Sequence, residues 1–171
     1  MKYAFLIGAA LAASAAPARA DEIFGGIFIH DVKTPLNLSG VESGVDAQLG
    51  WRGGRIGKTP LQPYVFGSLN SNGNTHFLAA GISAKFGDRI YIRPGIGLAI
   101  HSGLAANFDN PFNDQVEFGS RILFEPELGI GARVNDRLTI EASLVHLSQG
   151  QLFGRQNPGI DNIGIRLNYA L

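Results

Sequence analysis

The segment "VHLSQGQLFGRQNPGIDNIGIRL", residues 145–167, holds a histidine, a serine and an aspartate at spacings that could do chemistry. His146 and Ser148 are two residues apart, so on a β-strand they project from one face, about 6.5–7 Å apart along the backbone. An imidazole leaning along the strand reaches a hydroxyl over that distance. Asp161 follows one loop later, where a neighbouring antiparallel strand can bring it beside His146. In that arrangement Ser148 would be a nucleophile and His146 the base that takes its proton. Asp161 would fix the imidazole tautomer and stabilise the imidazolium. Such hydrolysis calls for no cofactor and no metal. An H-x-S string alone more often means polar residues sitting idle beside a loop. Of the other histidines, His30 and His76 adjoin loops and His101 shares the polar face of its segment.

The elements that must position these residues are strands, because the chain alternates with period two and helical spacing does not organise it. In residues 89–101, Ile90, Ile92, Pro94, Ile96, Leu98 and Ile100 oppose Tyr91, Arg93, Gly95, Gly97, Ala99 and His101. Residues 43–52, 121–134 and 160–171 alternate in the same way. Gly87-Asp88 and Asn135-Asp136 mark tight turns, whereas 32–42, 70–75, 102–117 and 149–159 are longer polar or Gly-rich connections. The pattern predicts about eight strands: 22–31, 43–53, 60–70, 76–87, 89–101, 118–134, 137–148 and 160–171. Strands 22–31 and 60–70 alternate poorly. His146 and Ser148 share a face with Leu138, Ile140, Ala142 and Leu144, and Asp161 shares one with Ile163 and Ile165. The candidate chemistry is therefore on the apolar side.

Met1-Lys2-Tyr3, an apolar run over 4–16 and Ala18-Arg19-Ala20 read as a secretory signal peptide, residues 1–20, with cleavage expected after Ala20. The expected mature domain is 21–171. Without Lys2 and Arg19 it carries 12 basic and 14 acidic residues, too little positive charge for nucleic-acid binding. Cysteine is absent, so an exported chain of this kind does not rely on disulfides. No mature stretch reaches 18 apolar residues, so a membrane-spanning chain would have to be a barrel.

The polar faces carry Arg93, Glu125, Glu127, Arg133, Glu141 and Arg166 at mid-strand among glycines and alanines. Charges of both signs can pair inside a narrow barrel, and the opposite faces are uniformly aliphatic. Polar inside and apolar outside is the pattern of an outer-membrane barrel, and eight strands make one whose interior side chains fill. The expected fold is all-β, an eight-stranded antiparallel up-and-down transmembrane β-barrel; a soluble lipocalin-like barrel is the competing architecture. An even strand count puts both termini on one side, the periplasm in this class, with His146, Ser148 and Asp161 at the far end near the outer leaflet.

The stretch "HLSQG…NPGIDNIGIRLNY" resembles the C-terminal signature of the lipid A 3-O-deacylase family, eight-stranded outer-membrane esterases that remove an acyl chain from lipopolysaccharide. The resemblance implies a lipid-facing triad of His146, Ser148 and Asp161, with lipid A as substrate. Some members have Glu where Asp161 stands, and Asn often follows the serine where this chain has Gln149. Candidate oxyanion donors are the backbone N–H of Gln149 or Gly150 and the Asn157 side chain. Asp109 and Asp114, in the third long connection, are rival acids. A catalytically silent barrel with a structural or surface-binding role would share the packed, charged interior. A pore is disfavoured, because eight strands leave no channel.

Overall fold

The computed structural model describes residues 21–37, 40–106, 114–152 and 157–171. The expected signal peptide, residues 1–20, lies outside them. The described residues form eight antiparallel strands: β1 Glu22–Ile29, β2 Val45–Arg52, β3 Leu61–Asn70, β4 Phe77–Ala84, β5 Ile90–His101, β6 Ile122–Arg133, β7 Leu138–Ser148 and β8 Gly159–Ala170. β4 resumes in the same register at Phe86–Gly87. Each strand pairs with the next, and β1 pairs with β8, which closes the barrel. Closure leaves no strand edge with unpaired backbone groups, as a hydrocarbon environment requires.

Two prolines mark where the ladder lapses. Pro94 stands between the pairs Ser83↔Gly95 and Phe86↔Ile92. Pro126 stands between Phe124↔Ser148 and Glu127↔Val145, which by register places it opposite His146. Proline has no N–H to give a ladder.

The faces divide as the alternation requires. Ile27, Leu49, Leu69 and Ile90 are among many large aliphatics exposed on the outer wall. Water would not tolerate so continuous an apolar belt, so the soluble-barrel alternative fails. Ile23 pairs with Trp51 on one side and Tyr169 on the other, giving an outward row with aromatics at the short-turn end, where a bilayer interface favours them.

Inside, Arg52, Arg93 and Arg166 interlock with Glu22, Glu127 and Glu141. The Arg52 and Arg166 guanidiniums each lie 4.7 Å from the centre of the Phe24 ring. These groups compensate one another where a lone charge would be very costly. Gly50 makes room for this packing, because a Cβ there would lie 2.4 Å from Phe66 Cβ and 2.5 Å from the Phe24 ring.

β1 and β3 looked irregular in sequence for a physical reason. Their inward positions include Phe24 and Phe28, and Tyr64 and Phe66, all buried, so aromatics stand on the face that elsewhere is polar and the contrast between faces is weak. Two expectations need correction. Arg133 is at the short-turn rim, ion-paired with Asp88, because it ends its strand beyond the packed lumen. The sixth strand starts at Ile122 rather than 118, because Val116 and Phe118 turn inward to cap the barrel, with Phe118 N–H bonded to Leu104 C=O at 2.9 Å.

Candidate active site

β7 and β8 run antiparallel with His146 directly opposite Asp161 and Ser148 directly opposite Gly159. The three polar side chains face the outer wall at its long-loop end. Behind them, Val145, Leu147 and Ile160 point inward and are fully buried, in one core with Phe118 and Leu123. This packing makes the two strands a rigid mount.

The His146 ring bridges the other two groups. Its Nδ1 lies 2.6 Å from Asp161 Oδ1 and its Nε2 lies 2.9 Å from Ser148 Oγ. A proton on Nδ1 is donated to the carboxylate, which leaves Nε2 as the acceptor for the serine hydroxyl. Gly159 permits this approach. A Cβ there would lie 2.4 Å from Leu147 C=O and 3.1 Å from Ser148 Cβ, forcing the Ser148 strand aside. Sequence reasoning had the N-P-G string in view but not the spatial demand on its glycine.

Although Asp161 is on the outward face, it is completely buried. The cover is the connection after β1. Asp31 takes a left-handed conformation, φ 50°, and turns the chain out over the wall. Val32 N–H then bonds Asp161 C=O at 2.7 Å, and Asn37 Nδ2 donates to Gly159 C=O. The Thr34 hydroxyl donates to Asp161 Oδ2. Asp31 itself is held by Val41 and Glu42 N–H groups at 2.7 and 2.9 Å and by Asn37. No signal of spacing or periodicity announced this strap.

Of the oxyanion candidates, Gln149 is buried and Asn157 exposed. Gly150 has φ 62° and Gln151 φ 60°, so two successive left-handed residues reverse the chain immediately after the serine. The rival acid Asp114 is exposed in its connection, and Asp109 lies outside the described residues.

A second imidazole cluster lies inside the same end of the barrel. His30 Nε2 is 2.9 Å from Glu42 and Nδ1 is 3.0 Å from Asp46. Burial opposes its charge, but the hydrogen bonds to Asp46 and Glu42 outweigh that and push His30 up to about 9. Burial likewise opposes the Glu42 carboxylate, yet His30 and the N–H groups of Thr75 and Val116 hold it below the ordinary carboxylate range. Expected only to adjoin a loop, His30 is instead a buried cross-brace.

A closed eight-stranded barrel with an apolar wall and a packed charged lumen defines an outer-membrane β-barrel protein. The chain belongs to the lipid A 3-O-deacylase (PagL) family, whose model matches residues 40–170. Its fold is similar to the crystal structure of the outer membrane enzyme PagL, at TM-score 0.62 and 20% identity, covering 88% of this chain and 99% of that one. It is also similar to Neisserial surface protein A, at TM-score 0.59 and 10% identity over 91% and 100% of the two chains. A de novo designed transmembrane β-barrel matches at TM-score 0.57 and 12% identity, over 91% of this chain and 98% of the design. No curated protein sequence matches the chain.

Proposed function

We propose that this chain is a serine esterase that hydrolyses the 3-O-linked acyl chain of lipid A in the outer leaflet. The observation that carries the reading is the single His146 ring hydrogen-bonded to a carboxylate on one side and a hydroxyl on the other, on the outer wall of a barrel of this family. A lipid-facing site makes sense where the substrate is itself a membrane lipid. Its ester lies near the headgroup boundary, and the three residues stand at the end of the apolar band with the long connections, which would face the cell exterior.

The chemistry follows from the proton inventory. His146 Nε2 takes the Ser148 proton as Oγ attacks the ester carbonyl carbon, and Asp161 stabilises the imidazolium that results. The tetrahedral intermediate expels the sugar 3-hydroxyl, which receives the proton from His146. Water, deprotonated by the same ring, then releases the fatty acid from the acyl-enzyme. The oxyanion requires donors, each often contributing about 10²–10³ in rate. The Gln149 and Gly150 N–H groups and the Asn157 side chain are the candidates, the first two being set by the reversal after Ser148.

Mass spectrometry of lipid A from cells expressing the protein tests this reading. Wild type should remove one acyl chain, and Ser148→Ala and His146→Asn should not, while each variant keeps a heat-resistant folded barrel. Unchanged deacylation by Ser148→Ala would refute the mechanism. Absence of deacylation by the wild type would favour the catalytically silent barrel, which the packed lumen alone would also suit.

A further inference from the structure

Asp161 has two carboxylate oxygens, and the proposed triad uses only one. Oδ1 meets His146 Nδ1 at 2.6 Å. Oδ2 receives the Thr34 hydroxyl, which comes from the strap folded over the outer wall. We infer that Thr34 is a positioning residue for hydrolysis, acting through Asp161 and not on the substrate. The inference rests on the esterase reading above and adds to it a group from the opposite end of the chain.

Three features favour this role over a purely structural one. The first is the direction of the hydroxyl proton. Leu36 N–H donates to Thr34 Oγ1 at 3.0 Å, so the oxygen is already an acceptor and its own hydrogen is free for the carboxylate. The second is burial. Asp161 is fully shielded, and a shielded carboxylate must have its lone pairs met by donors to stay ionised. His146 and Thr34 supply one donor to each oxygen, which also sets the carboxylate plane relative to the imidazole.

The third feature is redundancy of the strap's other anchors. Val32 N–H to Asp161 C=O, Asn37 Nδ2 to Gly159 C=O, and Asp31 N–H to Asn162 Oδ1 at 3.1 Å tie the same segment to β8. Thr34 N–H to Asn37 C=O at 2.9 Å holds its turn. None of these uses the Thr34 hydroxyl; its removal frees the Asp161 oxygen and the exposed Leu36 N–H, which water can take up, and should leave the strap in place.

The test compares Thr34→Val, which keeps the shape and loses the hydroxyl, with Thr34→Ser, which keeps the hydroxyl. Both are made in the full-length barrel and assayed on purified lipid A in detergent micelles. Loss of a hydrogen bond to a charged partner should lower kcat roughly tenfold to a hundredfold in Thr34→Val, with KM unchanged. Thr34→Ser should stay within a few-fold of wild type. In an Asp161→Asn background, Thr34→Val should cost nothing further, because the group it acts through is already disabled. Full kcat in Thr34→Val, while Ser148→Ala is inactive, would overturn the role of Thr34 and leave the esterase intact. An equal loss in Thr34→Ser, or the same loss in the Asp161→Asn background, would also overturn it. Activity in Ser148→Ala would instead bring down the triad, and Thr34's role with it.

Discussion

Two histidines stand at the same end of the barrel on opposite sides of its wall, each against a carboxylate, and they differ in what the second ring nitrogen meets. Inside, His30 has Glu42 on one nitrogen and Asp46 on the other. Both nitrogens must donate, so the ring is an imidazolium at neutral pH and acts as a brace. Outside, His146 has Asp161 on Nδ1 and the neutral hydroxyl of Ser148 on Nε2. One nitrogen remains able to accept a proton. A carboxylate on each nitrogen thus leaves no acceptor on the ring, whereas a neutral hydroxyl on one nitrogen does. Asn162 joins the two clusters, since its side chain donates to Asp46 at 2.9 Å while its neighbour in the chain, Asp161, holds His146.

The largest expected contrast is between the two rings. His146→Asn and Ser148→Ala should each lower kcat by about 10⁶, as loss of a nucleophile or base does in serine hydrolases. His30→Asn should leave kcat on purified lipid A within a few-fold of wild type. Ser148→Asp would turn the outer cluster into a copy of the inner one. It should be inactive, with nuclear magnetic resonance showing protons on both nitrogens of His146 at neutral pH.

Next in size is Asp161→Asn, which keeps the shape but removes the charge and disfavours the required tautomer, at a cost of about 10⁴ in kcat. Asp161→Glu should retain partial activity. A fully active Asp161→Asn would show that the acid lies elsewhere, with Asp114 and Asp109 the first to be replaced. Gly159→Ala should reduce kcat by about a hundredfold, since its Cβ would push the Ser148 strand out of position. Gly159→Ala with wild-type turnover would mean that the β7–β8 spacing is not what aligns the nucleophile.

The smallest effect concerns the inner brace and shows in stability, not turnover. His30 is raised from its ordinary 6.5 to about 9, so its stabilisation is fully present below 6.5 and is lost as pH rises through about 9. Glu42 is lowered from its ordinary 4.5, so its contribution is present above that value and is lost as pH falls below it. Thermal unfolding of the wild type should therefore be most resistant between these limits. His30→Gln should remove the alkaline decline, and a decline that persists in that variant would locate it in another group.

The fold was readable where the two faces of a strand differ in polarity, as in β5, β6 and β8. It was obscured in β1 and β3, where Phe24, Phe28, Tyr64 and Phe66 fill the lumen and weaken the contrast. His146, Ser148 and Asp161 stood out because each breaks an aliphatic face at a strand end. The strap did not, because Asp31, Thr34 and Asn37 are ordinary loop polar residues whose partners, in β8, are more than 120 residues away in the chain. The inner brace escaped notice because Glu42 reaches His30 across an irregular connection with no period to follow.

The claim that a serine on the outer wall is activated by its neighbouring histidine can be tested directly on purified barrel in detergent, without lipid A. The protein is treated with an organophosphate probe, digested, and the modified peptide sequenced by mass spectrometry. The adduct is expected on Ser148, and it should vanish in His146→Asn while that variant retains the heat-resistant fold. No adduct, an adduct on another serine, or undiminished labelling in His146→Asn would contradict the proposed site.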